Sequence, residues 1–352
     1  MDSRILKKRI RTIRKKLSDK NIDTLIITTS ANVTYTTGFS GSDSWAMVTK
    51  RAVYLLTDSR YTQQAQIESA NCQVIERTGS LSQAVGKLLL QLNSVKTPAV
   101  EESISIAELK ALKKHAKMRL KTVAGFVETV RTVKDACEIA TVKKAAQIAA
   151  AALKKNRRFI KPGITETELA GRLDFEIRKF GATNSFETIV AFGPNASMPH
   201  YQPGKKKLKQ NDAILIDFGA KYKGYCCDIT RCFTVGRVTN FYRKVYDVVK
   251  QAQIAAIKTV KAGVKMADID TAARCVIEAG NLPVYGHGTG HGLGLEVHEA
   301  PIVSTKAKEK LQAGQIITIE PGIYIPGKLG IRIEDDIVVT KTGCKVLTAD
   351  CP

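Results

Sequence analysis

Three of the five histidines in this 352-residue chain lie in one glycine-rich segment, residues 286–299. His287 and His291 are four residues apart, and on a helix that spacing would place two metal ligands on one face. Glycine at every second position from 286 to 294 makes a regular helix unfavourable. We therefore expect a glycine-rich loop that leads into a short strand at residues 295–297. Solvated imidazoles on a surface loop are the plainer alternative, so the interpretation depends on the nearby carboxylates.

Two aspartates form the first carboxylate pair. Asp217 ends an apolar run, and Asp228 lies in the strand-like run that follows the predicted turn at residues 221–224. A hairpin centred between Tyr222 and Lys223 would place Asp217 directly opposite Asp228, with Cβ atoms about 5 Å apart. The spacing therefore predicts two carboxylates on one face of a sheet.

Two glutamates repeat this arrangement near the C-terminus. Glu320 ends the apolar run 316–320, and Glu334 ends the run 331–334 beyond a turn rich in proline and glycine. A hairpin centred on Gly327 would place Glu320 opposite Glu334, although a bulge would shift this register by one residue.

Like charges directly opposite each other destabilise a sheet, so both pairs need a proton, an arginine or a metal ion as compensation. The four carboxylates and one histidine make an oxygen-rich ligand set. Such a set suits a pair of divalent cations better than a tetrahedral structural zinc site. On residue types alone, four exposed carboxylates at strand ends remain the alternative.

Five segments resemble, in the same order, the metal-site segments of the aminopeptidase P and prolidase family of proline-specific metallopeptidases. They are IDFGA at 216–220, DITR at 228–231, GHGTGHGLGLEVHE at 286–299, IEPG at 319–322 and GIRIED at 330–335. The resemblance implies a dinuclear site with the ligands Asp217, Asp228, His291, Glu320 and Glu334. It implies two divalent ions, with Mn²⁺ usual in relatives and Co²⁺ or Zn²⁺ as alternatives.

The resemblance also implies hydrolysis of the bond between an N-terminal residue and proline. Two cations would lower the pKa of a bridging water to give a hydroxide, and Glu320 would shuttle its proton. His200 and His298 would hydrogen-bond the carbonyl oxygen or the tetrahedral intermediate, and His287 would line the pocket. The alternative for His200 is a loop residue beside the basic tract 205–207.

Arg332 precedes Glu334 by two residues, and strand alternation would point both side chains to one side. There Arg332 could bind a substrate carboxylate through two hydrogen bonds. The sequence leaves open whether the substrate is an Xaa-Pro dipeptide or a longer Xaa-Pro peptide, because both activities share these segments. A non-hydrolytic binding protein of the same fold, with nucleic acid as a partner suggested by its basic charge, is the alternative from another class.

The elements around these segments predict two domains. Residues 1–125 alternate strand-like and helical runs, which is typical of an α/β domain, and their segments 32–42 and 56–61 resemble the family's N-terminal creatinase-like domain. Residues 126–135 are the predicted linker. Residues 136–352 contain two helix pairs, each followed by a carboxylate-bearing hairpin. This repeat suggests an internal duplication and resembles the α+β pita-bread (creatinase/aminopeptidase) catalytic fold. In relatives the N-terminal domain contributes to dimer contacts, so the resemblance implies a homodimer.

Charge and composition narrow the possible partners. The net charge is +22, from 55 basic and 33 acidic residues, and such an excess would attract anions. The basic residues are spread along the whole chain without interleaved aromatic residues, so we favour a basic solvated surface over a nucleic-acid site. No apolar run is long enough to span a membrane.

The N-terminus and the cysteines indicate a cytoplasmic protein. An apolar stripe at Leu6, Ile10, Ile13 and Leu17 predicts an amphipathic first helix and not a signal peptide, with an organelle transit peptide as the alternative. Eight cysteines without CxxC spacing predict reduced thiols. Cys226 would share a face with Asp228, and core packing is its favoured role.

Overall fold

The computed structural model describes residues 3–352, which form two compact units that divide after Arg131. The division lies within residues 126–135, where the sequence suggests a linker, although Glu128–Arg131 is a short helix. The elements of the first unit are α1 (Ser3–Asp19), β1 (Thr24–Ile27), α2 (Ser30–Thr37), β2 (Trp45–Thr49), β3 (Val53–Thr57), α3 (Thr62–Glu68), β4 (Gln73–Glu76), α4 (Leu81–Gln91), β5 (Pro98–Glu101), α5 (Ile106–Ala116), β6 (Lys121–Val123) and α6 (Glu128–Arg131).

The first unit is an α/β domain built on one six-stranded sheet in the order β4-β3-β2-β1-β5-β6. The antiparallel pairs are β1–β2 and β2–β3, and the other three pairs are parallel. The predicted apolar stripe of α1 is confirmed, because its four residues are all buried.

Helix α2 is the clearest element of the first unit that the sequence analysis missed. Its sequence SANVTYTT has several β-branched residues, which have low helix propensity. Tertiary contacts stabilise it instead: the buried Asn32 side chain donates to the carboxylates of Glu101 and Glu128, each at 2.6 Å. Gly38 then ends the helix in the left-handed conformation, with φ of 83°.

The second unit contains four long helices and four small sheets. Its elements are α7 (Ala136–Asn156), α8 (Glu166–Lys179), β7 (Thr183–Asn184), β8 (Ile189–Phe192), β9 (Ala213–Phe218), β10 (Ala220–Tyr222), β11 (Tyr225–Cys226), β12 (Ile229–Thr234), α9 (Asn240–Thr259), α10 (Met266–Ala279), β13 (Gly290–Gly292), β14 (Glu299–Val303), β15 (Ile316–Ile319), β16 (Gly322–Ile325), β17 (Leu329–Arg332), β18 (Asp335–Val339) and β19 (Cys344–Val346), with 3-10 turns at Arg157–Phe159 and Gly193–Ser197. The sheet orders are β11-β10-β7, β12-β9-β8, β14-β13-β15-β18-β19 and β16-β17.

The two halves of this unit repeat the same backbone contacts. In the first half, Gly163 N donates to Leu208 O at 2.9 Å, just before α8. In the second half, Gly263 N donates to Leu311 O at 2.8 Å, just before α10. In each half, the loop between the two helices therefore bonds to the segment that precedes β9 or β15, as expected for the predicted pita-bread duplication.

The first carboxylate hairpin has a different register from the predicted one. Its turn lies at Lys223 and Gly224, whose φ values of 46° and 85° fit a type I′ turn. Asp217 therefore pairs with Thr230, and the prediction that it lies directly opposite Asp228 is wrong. Asp228 is two residues from Thr230, so the period-two alternation still keeps both aspartates on one side.

The register of the second hairpin is confirmed on both sides of the two glutamates. Gly322 pairs with Arg332 in the β16–β17 hairpin, and Ile319 pairs with Asp335 between β15 and β18. Glu320 and Glu334 lie between these two ladders at matching positions, with no bulge in the ladders on either side.

The glycine-rich segment contains a strand where a loop was expected. Gly290–Gly292 is β13, whereas the predicted strand at residues 295–297 is wrong because that stretch bends. A Cβ atom on Gly290 would lie 1.9 Å from Thr318 O, and one on Gly292 would lie 2.3 Å from Ala300 O. These glycines therefore permit close packing of β13 between its neighbours. Among the helices of residues 3–352, none has the length and apolar character needed to span a bilayer.

Candidate metal centre

Three residues from different parts of the second unit bring their side chains together in its interior. The ligand atoms of Asp228, His291 and Glu334 all lie within 4.8 Å of one another. Asp228 directly precedes β12, His291 is the middle residue of β13, and Glu334 lies between β17 and β18. This grouping of two carboxylates and an imidazole could hold a divalent cation.

The other two predicted ligands border the same group. His291 Nε2 lies 3.4 Å from Glu320 Oε1 and 3.7 Å from Asp228 Oδ2. The negative charge of Asp217 is close enough to raise the pKa of both Asp228 and Glu334. The structure thus brings all five predicted ligand residues into one cluster.

The cluster carries more negative charge than its surroundings compensate. Burial raises the pKa of Asp228 and Glu334 well above the ordinary carboxyl range, and their acidic neighbours raise it further. Burial also raises the pKa of Glu320, against the opposing charge of Arg332. Deprotonation of these groups together requires a compensating positive charge.

Unpaired oxygens indicate where that positive charge would bind. Asp217 Oδ1, Asp228 Oδ1 and Glu334 Oε1 are buried and have no hydrogen-bond partner within residues 3–352. Buried polar atoms nearly always have a hydrogen-bond partner in folded proteins, so three unpaired carboxylate oxygens in one cluster need an explanation. Hard oxygen donors with one imidazole are the ligands that divalent cations such as Mn²⁺ prefer, and the residues therefore fit a metal centre.

The histidines surround this cluster in different environments. The His287 ring stacks on Tyr285, with centroids 4.8 Å apart, and the His291 ring meets His298 edge-on at 4.4 Å. Burial lowers the pKa of His287 and His291, which favours the neutral imidazole that a metal ligand needs. His200 is exposed, and burial lowers the pKa of His298.

Arg332 is buried, and its guanidinium group donates to protein groups. Its Nη2 donates to Asp217 Oδ2, its Nη1 to Tyr324 Oη at 2.8 Å and its Nε to Thr230 Oγ1 at 3.0 Å. The arginine therefore compensates one carboxylate of the cluster. To bind a substrate carboxylate, it would have to share or release these acceptors.

Two polar residues that hold the ligands were missed by the sequence analysis. Thr230 Oγ1 donates to Glu334 Oε2 at 2.6 Å, and Asp336 Oδ2 accepts a hydrogen bond from the backbone N–H of Asp228 at 3.2 Å. Both lie within the DITR and GIRIED segments or directly beside them. A polar residue at an inward-facing strand position is the signal that could have indicated Thr230.

The segment that carries His200 is held by a buried carboxylate at the start of α8. Glu166 accepts hydrogen bonds from Phe192 N at 2.8 Å, Tyr201 Oη at 2.8 Å and Gly204 N at 3.1 Å. The sequence TETE at 165–168 predicts only a capping box, and the structure contains that box between Thr165 and Glu168. Glu166 gave no sequence signal because its partners follow it by 26 or more residues.

Cys226 is buried outside the carboxylate cluster. Its Sγ lies 4.0 Å from Leu295 O, and burial raises the pKa of its thiol to about 12. Core packing, which the sequence analysis favours, agrees with this environment.

Residues 140–341 match the model of metallopeptidase family M24, and residues 9–133 match the creatinase/prolidase N-terminal domain. The chain belongs to metallopeptidase family M24. This family binds divalent metals, in agreement with the cluster above, and the two matches account for the two-domain creatinase-like architecture with a pita-bread catalytic unit.

Relatives of known structure share this M24 architecture over nearly the whole chain. An Xaa-Pro dipeptidase from Bacillus anthracis is 35% identical with a TM-score of 0.93, and the match covers 98% of each chain. An X-Pro aminopeptidase from Thermotoga maritima MSB8 is 36% identical with a TM-score of 0.88, covering 95% of this chain and 97% of that one. The uncharacterized peptidase YqhT of Bacillus subtilis (strain 168) is 38% identical over 345 residues, or 97% of both chains.

Proposed function

We propose that this M24 enzyme is an exopeptidase that hydrolyses the bond between an N-terminal residue and proline. The observation that supports it most is the buried cluster of four carboxylates and one imidazole, three of whose oxygens have no partner. The Xaa-Pro dipeptidase and X-Pro aminopeptidase among its similar structures support the choice of substrate.

The proposed ligands of a dinuclear centre are Asp217, Asp228, His291, Glu320 and Glu334. When bound, two divalent ions would supply Lewis-acid activation of a water molecule and of the scissile carbonyl group. Mn²⁺ is the proposed native metal, with Co²⁺ or Zn²⁺ as alternatives, because this ligand set accepts several ions.

The chain's own residues would bind the peptide and move the proton. Glu320 is the proposed acid–base group, because its Oε1 lies within the cluster, 3.4 Å from His291 Nε2, and burial raises the pKa of its carboxyl. His298 and His200 would donate hydrogen bonds to the carbonyl oxygen as negative charge develops on it. His287, stacked on Tyr285, would line the pocket and orient the substrate.

Arg332 is proposed to contact the substrate carboxylate while it also holds Asp217. Replacement by lysine would keep the positive charge but lose the planar group that can donate to two acceptors at once. We expect Arg332→Lys to raise KM for an Xaa-Pro dipeptide more than for a tripeptide, measured by steady-state kinetics. An equal rise in KM for both substrates would indicate that Arg332 only holds Asp217 and does not contact the substrate carboxylate.

The decisive measurement compares the activity of the enzyme on peptides of two lengths. Metal-stripped enzyme, reconstituted with Mn²⁺, is assayed on an Xaa-Pro dipeptide and an Xaa-Pro-Yaa tripeptide, with matched Xaa-Ala peptides as controls. Turnover of the dipeptide alone identifies a dipeptidase, and efficient cleavage of the tripeptide identifies an aminopeptidase. Equal cleavage of the alanine peptides, or none of any substrate by metal-loaded enzyme, would refute the proposal.

The proposal also includes the oligomeric state of the enzyme and its location in the cell. A homodimer is part of the proposal, and sedimentation equilibrium tests it. A cytoplasmic location is supported by eight cysteines that are all free thiols. Metal analysis of enzyme purified without chelator tests whether manganese is the bound ion.

A further inference from the structure

Helix α10 directs a fully buried carboxylate, that of Asp270, at the glycine-rich segment 286–299. Asp270 Oδ1 accepts a hydrogen bond from Thr289 N at 3.0 Å and another from Thr289 Oγ1 at 2.7 Å. Neither Asp270 nor Thr289 is exposed to solvent. A buried charge of this kind is retained at a cost in desolvation, so its partners are informative.

The partner charge is Arg274, one turn further along α10. Its Nε donates to Asp270 Oδ2 at 2.6 Å. Its other nitrogens reach across to the segment, where Nη1 donates to Tyr285 O at 2.9 Å and Nη2 donates to His287 O at 2.6 Å. Asp270 and Arg274 therefore hold the backbone at Tyr285, His287 and Thr289, where the glycine-rich segment begins.

Those backbone contacts continue directly to two proposed metal ligands. Thr289 O accepts a hydrogen bond from Glu320 N at 2.8 Å. His291, two residues after Thr289, donates its backbone N–H to Thr318 Oγ1 at 3.0 Å. Thr289 thus joins the segment that carries His291 to the residue that follows β15, Glu320, and Asp270 holds Thr289 in place.

We propose that Asp270 and Arg274 are positioning residues that set the geometry of His291 and Glu320 at the metal centre and of the His287 ring beside it. They act through Thr289 and two backbone carbonyls. This role rests on the proposed dinuclear centre, because it concerns how two of its ligands are oriented. Supporting groups behind metal ligands typically change metal affinity or activity by about 10- to 100-fold when they are lost.

The chain provides matched controls for this role. Asp268 lies on the same helix and is exposed, and Lys258 is an exposed cation on α9. Asp270→Asn and Arg274→Lys are compared with Asp268→Asn and Lys258→Arg. Co²⁺ binding to metal-stripped protein is followed through the absorption bands of the bound ion, with thermal unfolding and steady-state kinetics of the Xaa-Pro dipeptide in parallel.

We expect Asp270→Asn to weaken Co²⁺ binding by about 10- to 100-fold, change the Co²⁺ absorption bands and lower kcat more than it changes KM. Arg274→Lys should not keep the wild-type Co²⁺ affinity, absorption bands and kcat, since a single ammonium group cannot reach Asp270 and both carbonyls together. Thr289→Val should resemble Asp270→Asn, and Thr289→Ser should recover most of the loss because it retains the hydroxyl group. The Thr289 variants decide the matter if Asp270→Asn does not fold.

The proposal would be overturned if Asp270→Asn and Thr289→Val kept the wild-type Co²⁺ affinity and absorption bands. It would also be overturned if Arg274→Lys kept them. A lowered melting temperature with unchanged Co²⁺ bands would also overturn it, since it indicates a purely structural pair. The Co²⁺ measurement needs no substrate. If wild-type enzyme binds Co²⁺ but cleaves no Xaa-Pro peptide, the proposed function fails and the Co²⁺ data still test the positioning role. If wild-type protein binds no Co²⁺, both proposals fail.

Discussion

At the scale of residues, the second unit is marked by carboxylates whose charge the protein itself only partly compensates. Arg332 donates to Asp217 and Thr230 to Glu334, yet one oxygen of each of these carboxylates stays without a partner. The neighbouring Asp336 also has an unpaired oxygen, and burial raises its pKa. Such an arrangement is unfavourable in the absence of a cation, and a bound cation relieves the repulsion.

Asp228→Asn tests the cluster at one position. The substitution keeps the size of the side chain but removes a charge and leaves an NH₂ group facing the other ligands. We expect peptidase activity to fall below detection and one of the two metal equivalents to be lost, measured by metal analysis after dialysis. Asp247→Asn, at an exposed position, is the control. Normal turnover by Asp228→Asn would contradict the dinuclear assignment.

At the scale of elements, short strands and tight turns decide where each carboxylate lies. The turn at Lys223 and Gly224 sets the β9–β12 register, and close packing at Gly290 brings β13 against Thr318 O. Helix termini contribute as well, since Glu166 at the start of α8 holds three groups of the His200 segment. The site is therefore assembled from several elements that are each held by local hydrogen bonds.

In the first unit, Asp23 joins β1 to the start of β5 and makes stability depend on pH. Its Oδ2 accepts from Lys96 N at 2.7 Å and Thr97 N at 2.8 Å. Burial alone would raise the pKa of Asp23, but these N–H groups lower it below the ordinary value of 3.8. Because the pKa is lower in the folded chain, the stabilisation is present at neutral pH and is lost as the pH falls below about 3.8.

Asp23→Asn should therefore lower the free energy of unfolding by about 1 to 2 kcal/mol at pH 7, because hydrogen bonds to a charged acceptor are replaced by weaker ones. The difference from wild type should shrink as the pH approaches 3. Urea unfolding across this pH range measures it, with Glu102→Gln, at an exposed position after β5, as control. A difference that is constant with pH would contradict the assignment to the charged form.

At the scale of the whole molecule, the proposed metal centre lies within one of the two units. All five proposed ligands lie after Arg131, in the pita-bread unit, whereas the first unit is an α/β domain with its own core. The net charge of +22 is large, but it is distributed over both units. We therefore associate function with the carboxylate cluster and not with the overall basic charge.

Metal binding should stabilise the folded chain, because the ligands converge only when the second unit is folded. Mn²⁺ at 100 times its Kd should add about 2.7 kcal/mol to the free energy of unfolding. Thermal unfolding followed by circular dichroism, with and without Mn²⁺, measures this gain. The gain should be much smaller in Asp228→Asn, and an unchanged melting temperature in wild-type protein would contradict the metal centre.

The sequence by itself determined the residue types of the site and most of the elements that carry them. The runs ending at Asp217 and Glu320 are strands, the two predicted helix pairs of the second unit are α7–α8 and α9–α10, and the Glu320–Glu334 register is confirmed. These features are local, because each depends on side-chain period, on capping residues or on one short turn. The family resemblance depends on the same local segments.

Only the tertiary structure decided the β9–β12 register, the strand at Gly290–Gly292 and the contacts of Asp270 and Glu166. The register depends on a positive φ at Lys223, which a lysine does not predict. The strand at Gly290 depends on packing against a segment almost thirty residues away, and the Asp270 contacts join a helix to a distant loop. Interactions between distant segments leave no periodic signal in the chain, so the positions of these groups become evident only when the chain is folded.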